Sequence, residues 1–441
     1  METNLLNDDL SLENLLAHWQ GLTHAERETI FKMLGRMDQE DLFLNLASDY
    51  QLEIFQELPA AEKRSWMRLL APDDIADLLQ NMDEEEQKTN MRYLDYPTMI
   101  EVKALMAYAE DEAGGLMNSR FARLRPEMTV EEAIRYLRAQ SKSQIETIYY
   151  AYVLDRHQVL LGVVSLRELF LADAKITISE IMNTDIVTVL QDEDQESISK
   201  TFSNHNFLAL PVVDETNVMK GIITGDDVIE VIEEEATEDI QKIGGMEALG
   251  EPYLEIDLLT MIKKRAGWLM ALFIGEMFTA TAMSHYEGEI AKAVVLALFI
   301  PLVISSGGNS GSQATTLIIR AMALGEVRLK DWWRVFSREL LAGLSLGCIL
   351  GLIGMIRILL WPNHQTLYGE HYFLVALTVS CSLIGIVLWG TLAGSMLPFF
   401  LRRVGLDPAT SSAPFVATLV DVTGLIIYFT VASLFLKGIL L

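Results

Sequence analysis

The chain changes character near residue 263. Beyond that point apolar residues come in long runs; before it they recur at helical or strand spacing among many charges. One helical crossing of a bilayer core takes roughly 20 apolar residues. Five runs meet that length, at about 266–284, 290–319, 340–361, 372–401 and 409–436. They predict an all-α transmembrane bundle of five helices over residues 263–441. Residues 10–115 instead read as amphipathic helices broken at Leu58-Pro59, Ala71-Pro72 and Met82-Asp83. Successive helix-turn units of this kind predict an all-α superhelical N-terminal domain, residues 1–117.

Between these regions a unit repeats. Ala151-Tyr152-Val153-Leu154-Asp155 matches Leu210-Pro211-Val212-Val213-Asp214, and Gly162-Val163-Val164-Ser165 matches Gly221-Ile222-Ile223-Thr224, both at an offset of 59. Each copy, 118–178 and 179–235, reads as strand, helix, strand, strand, helix. The pair resembles tandem CBS domains, α/β modules that often bind adenosine nucleotides. In that family a Ser/Thr-x-x-Asp pattern holds the ribose. Thr224-Gly225-Asp226-Asp227 fits it, whereas Ser165-Leu166-Arg167-Glu168 carries Glu instead. A pair that binds ATP or another adenosine nucleotide and one that binds none both remain open. A long connecting helix over 226–262 leads from the repeat towards the membrane.

Charge follows the same division. Residues 1–262 carry a formal −31 and residues 263–441 carry +4, for −27 in all. Such an acidic half repels phosphate backbones, which argues against nucleic acid as a partner, and attracts cations. Cys348 and Cys381 both sit in apolar runs, so neither a disulfide framework nor a thiolate metal site is expected. The N-terminal stretch has neither a basic region nor an apolar core, so it does not read as a signal peptide. Ten basic residues, among them Lys263, Arg320, Arg338 and Arg402, fall on the side of the N-terminal domains. With five spans, that bias predicts a multi-pass protein of the inner or plasma membrane. Its N-terminal domains are cytoplasmic and its C-terminus extracytoplasmic.

Few ionisable residues lie deep in a span. Asp421 and Glu276 do, and a carboxylate there costs a few kcal/mol unless it faces water, a partner or an ion. Asp421 has Thr418 and Gly424 on nearby turns. Two readings are open for it: a cation site in a pore, or a structural carboxylate bonded to another helix. Glu276 either lines a cavity or pairs within the bundle. The second run holds Ser305-Ser306-Gly307-Gly308-Asn309-Ser310-Gly311-Ser312-Gln313, which suits close helix approach or a polar cavity; Pro301 is expected to kink it. In the connecting helix, Asp227, Glu230, Glu234 and Glu238 follow a helical stripe, and Asp73 and Asp77 share a face of an N-terminal helix. Such carboxylates stand solvated, or are bridged by a hard divalent cation with oxygen ligands. No Walker motif or catalytic dyad is present, so no enzyme is expected.

These features together resemble the MgtE family of Mg²⁺ channels over almost the whole chain. The motifs are GGNSGSQATTLIIRAMALGEV (307–327), VGLDPATSSAPFVATLVDVTGLIIYF (404–429), ATEDIQKIG (236–244) and EDEAGGLM (110–117). The resemblance implies a homodimer whose pore follows the two-fold axis between the second and fifth spans. It implies Asp421 as the pore carboxylate, Asp407 near the pore entrance, and Asn309 and Gln313 in the second-span motif. It implies that the connecting helix is a plug and that acids at the domain interfaces bind regulatory Mg²⁺: Asp73, Asp77, Asp194, Glu196, Asp227, Glu230, Glu235 and Glu238. Asn206 stands where some relatives carry an acid. The expected function is Mg²⁺ uptake, with Co²⁺ and Mn²⁺ as further possible ions. A secondary transporter coupled to Na⁺ or H⁺, and a membrane-anchored sensor acting on another protein, are the rival readings.

Overall fold

A computed structural model describes residues 12–439, apart from 141–144, 146, 206, 251–252, 255 and 363; Asn206 therefore lies outside the described residues. The chain divides between Glu234 and Glu235 into two units, and one helix, Gly225–Ile243, runs through the division. The architecture is multidomain, as the sequence pattern predicts: a helical N-terminal domain, a repeated pair of small α/β units and five apolar helices.

In the N-terminal domain short helices follow one another from Leu12–His18 to Tyr96–Leu105. Their ends are fixed locally. The Glu26 carboxylate accepts from both Thr23 N (2.8 Å) and Thr23 Oγ1 (2.7 Å), tying the residue before the His24–Met33 helix to its first turn. Trp19, Phe43, Phe55 and Trp66 fill the core. Pro72 opens the helix Pro72–Gln80, whose Ile75, Ala76, Leu78 and Leu79 are buried.

The repeat is visible atom by atom. Strands β1 (Arg123–Leu124), β2 (Tyr150–Leu154) and β3 (Leu160–Ser165) form one small sheet, with β1 parallel and β3 antiparallel to β2. Strands β4 (Val189–Leu190), β5 (Ala209–Val213) and β6 (Met219–Thr224) form the second in the same order. Tyr152 pairs with Val163 and Pro211 with Ile222, which preserves the offset of 59, and each hairpin shifts register at the equivalent place. Both hairpin turns need one left-handed residue, Gln158 (φ 66°) and Asn217 (φ 61°). Asp155 and Asp214 steady those turns by accepting from backbone amides inside them.

The connecting helix ends at Ile243, short of the predicted 262. The physical reason is Gly244-Gly245: Gly245 takes φ 76°, and a Cβ there would lie 2.8 Å from Trp268 Nε1. The five spans are Leu258–His285, Val294–Ala323, Leu329–Leu359, Tyr372–Arg403 and Ala413–Leu436. The second is broken after Ala297 and resumes at Ile300. Pro301 does not kink it from within; it sits in the first turn of the resumed helix, where its missing N–H costs nothing.

Small residues set how closely the spans approach. Gly307 and Gly311 of the second span meet Gly390 and Gly394 of the fourth: a Cβ on Gly390 would lie 2.3 Å from Gly307 O, and one on Gly394 2.2 Å from Gly311 O. Ser310 and Thr391 hydroxyls bond at 2.7 Å, and Thr315 Oγ1 donates to Gly394 O at 2.9 Å, in the same seam. Because the clash is with backbone, Gly394→Ala is expected to cost at least 1–3 kcal/mol, the usual overpacking range. Thermal unfolding of the purified protein checks this: its midpoint should fall by several degrees, and an unchanged midpoint would mean the seam is not tight.

Candidate functional site

Asp421 is the ninth residue of the fifth span, roughly 12 Å along it at 1.5 Å per residue, so it lies near the midpoint, on its Asp407 side. Its carboxyl is half-buried, and the hydrogen-bonding neighbour it finds is Glu276 of the first span. The two helices can bring these groups together because Gly275 has no side chain; a Cβ there would stand 2.9 Å from Thr418 Cγ2. Among the described residues no lysine or arginine pairs with either carboxyl. Two adjacent carboxyl groups without a basic partner repel when both are ionised, and a cation relieves that repulsion. Glu276 thus joins Asp421. Sequence alone could not pair them, since 145 positions separate the two and only helix packing brings them together.

The small-residue motif of the second span splits by face. Gly307 is buried against Ile386 and Val420, and Gly308 faces Ala417 of the fifth span. Gly307 therefore serves close helix approach, whereas a Cβ on Gly308 would meet Ala417 at an ordinary 3.5 Å. Asn309 and Gln313 are exposed on another face of the helix, in line with Ser305 and Thr316. Thr418 spends its hydroxyl on Pro414 O at 3.1 Å, within its own helix. Asp407 caps the short turn before the fifth span, its Oδ1 accepting from Ala409 N at 2.8 Å, and its Oδ2 takes Lys242 Nζ at 2.8 Å.

A second acidic group forms in the N-terminal unit. Asp73, only 7% exposed, accepts from Asn118 Nδ2 at 3.0 Å. One turn on, Asp77 is pushed up to about 8 by burial, then by the nearby charges of Asp74, Asp227, Glu230 and Glu110. Asp227 is pushed up to about 7, by burial and by Asp226, against the opposing effect of its bonds from Thr224. The structure therefore assembles Asp77, Asp227 and Glu230, with Glu234 beside Glu230. It adds Asp74, Asp226 and Glu110, which the helical periodicity did not single out. Among the described residues no three carboxylate, imidazole or thiolate groups converge into a complete metal shell. One or two carboxylates with retained waters is the set that suits Mg²⁺.

The remaining candidates have other occupations. Asp194 caps the helix Gln195–His205 through Glu196 N at 2.9 Å, and Glu196 pairs with Lys200 at 2.6 Å. Glu238 pairs with Lys242 at 2.5 Å, and Glu235 lies on the same helix. Thr224 N and Oγ1 both donate to Asp227 Oδ2, at 3.0 and 2.8 Å, so the ribose-type pattern here caps the connecting helix. Ser165 and Glu168 make the same cap in the first copy.

Known proteins match this arrangement along its length. A family profile described as a divalent cation transporter matches residues 300–431, one for the MgtE intracellular N domain matches 10–111, and one for the CBS domain matches 113–175 and 178–234. The magnesium transporter MgtE of Thermus thermophilus is 39% identical over 98% of this chain and 94% of its own. The magnesium transporter MgtE of Enterococcus faecalis is 31% identical over 90% and 93%. A crystal structure of the cytosolic domain of the Mg²⁺ channel MgtE in complex with ATP shares 38% identity and a TM-score of 0.47, over 52% of this chain and 92% of that one.

Proposed function

The chain belongs to the MgtE family of magnesium transporters, and we propose that it is a Mg²⁺-selective uptake channel closed by cytosolic Mg²⁺. Asp421 carries this reading: a carboxylate inside a span, beside a second carboxyl, with no basic group to neutralise it among the described residues. Stranded in hydrocarbon it would be costly. Facing a watery path it offers oxygens to a doubly charged ion. Mg²⁺ gives up its waters reluctantly, so Asp421 is proposed to contact a largely hydrated ion. The exposed line of Ser305, Asn309, Gln313 and Thr316 needs water or a partner for the same reason. A homodimer with the path on its two-fold axis supplies both and presents two copies of Asp421.

Closure is proposed to work through charge. At high cytosolic Mg²⁺ hydrated ions bridge pairs among Asp77, Asp227 and Glu230, with Asp73 held in place by Asn118, and the connecting helix is fixed over the path. When the ions leave, the carboxylates repel and the helix is released. Asp194, Glu196, Glu234, Glu235 and Glu238 are proposed as contacts for further regulatory ions. An adenosine nucleotide such as ATP is proposed as a ligand of the second CBS copy, through Thr224 and Asp227. Inward flux follows the membrane potential, about 2.3 kcal/mol per charge per 100 mV, with N-terminal domains in the cytoplasm and the C-terminus outside.

Uptake into liposomes by the purified protein, with internal Mg²⁺ varied, tests the proposal. Entry of Mg²⁺ that falls as internal Mg²⁺ reaches the millimolar range is expected; Co²⁺ and Mn²⁺ are run beside it. Uptake that requires a Na⁺ or H⁺ gradient would favour a carrier instead.

A further inference from the structure

Lys242 stands in the last turn of the connecting helix with its ammonium between two carboxylates, Glu238 one turn earlier at 2.5 Å and Asp407 at 2.8 Å. The Asp407 contact spans 165 positions, so it fixes the helix end to the turn that opens the fifth span. It is not a stray surface pair. The chain on either side is clamped: Gln241 Oε1 accepts from Leu249 N at 2.6 Å, and Lys264 Nζ donates to Ala248 O at 2.6 Å. Trp268 Nε1 donates to Ser412 Oγ at 3.1 Å, and Gly245 is wedged between Trp268 and Pro414. Lys242 and Asp407 keep 28% and 38% of their side chains exposed. A pair so exposed contributes at most about 1 kcal/mol to stability, so holding the fold together does not account for it. Its chemical consequence is larger. The ammonium occupies the position on Asp407 Oδ2 that an arriving cation would take.

We propose that Lys242 is a tethered cation that occupies Asp407 while the connecting helix is seated, so that Asp407 meets a permeating divalent ion only after that helix turn has withdrawn. This rests on the channel reading above. It makes Lys242 a positioning residue: it touches no ion but decides when Asp407 can. With Lys242 seated, withdrawal exchanges the ammonium at Asp407 for the incoming ion, so seating and ion entry exclude one another. Without it, Glu238 and Asp407 are left facing across the same gap and repel, and the seated state is weakened.

The experiment is Mg²⁺ flux in liposomes against internal Mg²⁺, each curve normalised to its own maximum. Variants are Lys242→Arg, Lys242→Gln, Lys242→Glu and the exchange Lys242→Glu with Asp407→Lys. Lys242→Gln is expected to raise the Mg²⁺ needed for half-closure threefold or more, and Lys242→Glu further. Lys242→Arg should stay within twofold of the wild type, and the exchange should bring the curve back towards it. Should the exchange abolish flux, closure is read by Mg²⁺-dependent protease protection of the full chain, with the same order expected. Closure of Lys242→Gln and Lys242→Glu at the wild-type concentration, or no recovery in the exchange, would overturn the proposal. A wild type that never closes with Mg²⁺ would instead overturn the gating reading beneath it.

Discussion

Replacing Asp421 with alanine is expected to lower Mg²⁺ flux roughly 100-fold while the protein still assembles. A hydrogen bond to a charged group contributes about 1.5–3 kcal/mol, and the proposed dimer loses two of them; each 1.4 kcal/mol is a factor of ten. Asp421→Asn removes the same charge with almost no change of volume and should fall nearly as far. That shared loss separates an electrostatic role from a packing one. Glu276→Gln is expected to reduce flux less, because Glu276 is the more exposed member of the pair and lies on the first span. Initial rates of Mg²⁺ entry into liposomes check all three, with size-exclusion profiles confirming assembly. Full flux in Asp421→Ala would remove that carboxyl from the path.

The second large effect is on closure. Neutralising Asp77, Asp227 and Glu230 together is expected to leave the channel open at Mg²⁺ concentrations that shut the wild type, a shift of tenfold or more. These three carboxyls gather in the N-terminal unit, and each removed charge weakens the proposed divalent bridge. The pH dependence supplies an internal control. Asp77 near 8 and Asp227 near 7 stand far above the 3.8 expected of an exposed aspartate. The folded assembly therefore binds protons more tightly than the unfolded chain does. That contribution to stability is complete below about pH 4 and is lost as pH rises through 7 to 8. In chelator, the wild-type unfolding midpoint should thus drop between pH 6 and pH 8.5, and Mg²⁺ should restore it. The triple variant should lose most of both responses. A wild type with equal midpoints at the two pH values would show that these acids are not desolvated.

Much of this was legible beforehand, for identifiable reasons. Apolar runs of bilayer length mark the spans regardless of how they pack, and an offset of 59 survives into matched hairpins because each copy must close its own small sheet. Asp421 stands out because a charge in an apolar run is conspicuous. What stayed hidden depends on contacts between distant segments. Which group Glu276 meets is hidden until Gly275 lets the first span close on Thr418. Asp407 reads as an acid in a loop until Lys242 reaches it. Asp74 and Glu110 carry no periodic signal, yet their charge falls on Asp77 once the helices pack. The kink expected at Pro301 is absent because the proline begins a helix there, a use as favourable to it as kinking one.

Single-channel recording in planar bilayers, with Mg²⁺ as the sole permeant cation, bears most directly on whether Asp421 faces a continuous watery path. Discrete Mg²⁺ currents are expected, vanishing when millimolar Mg²⁺ is added on the side of the acidic domains. Transport without any unitary current, in fixed stoichiometry with Na⁺ or H⁺, would contradict it.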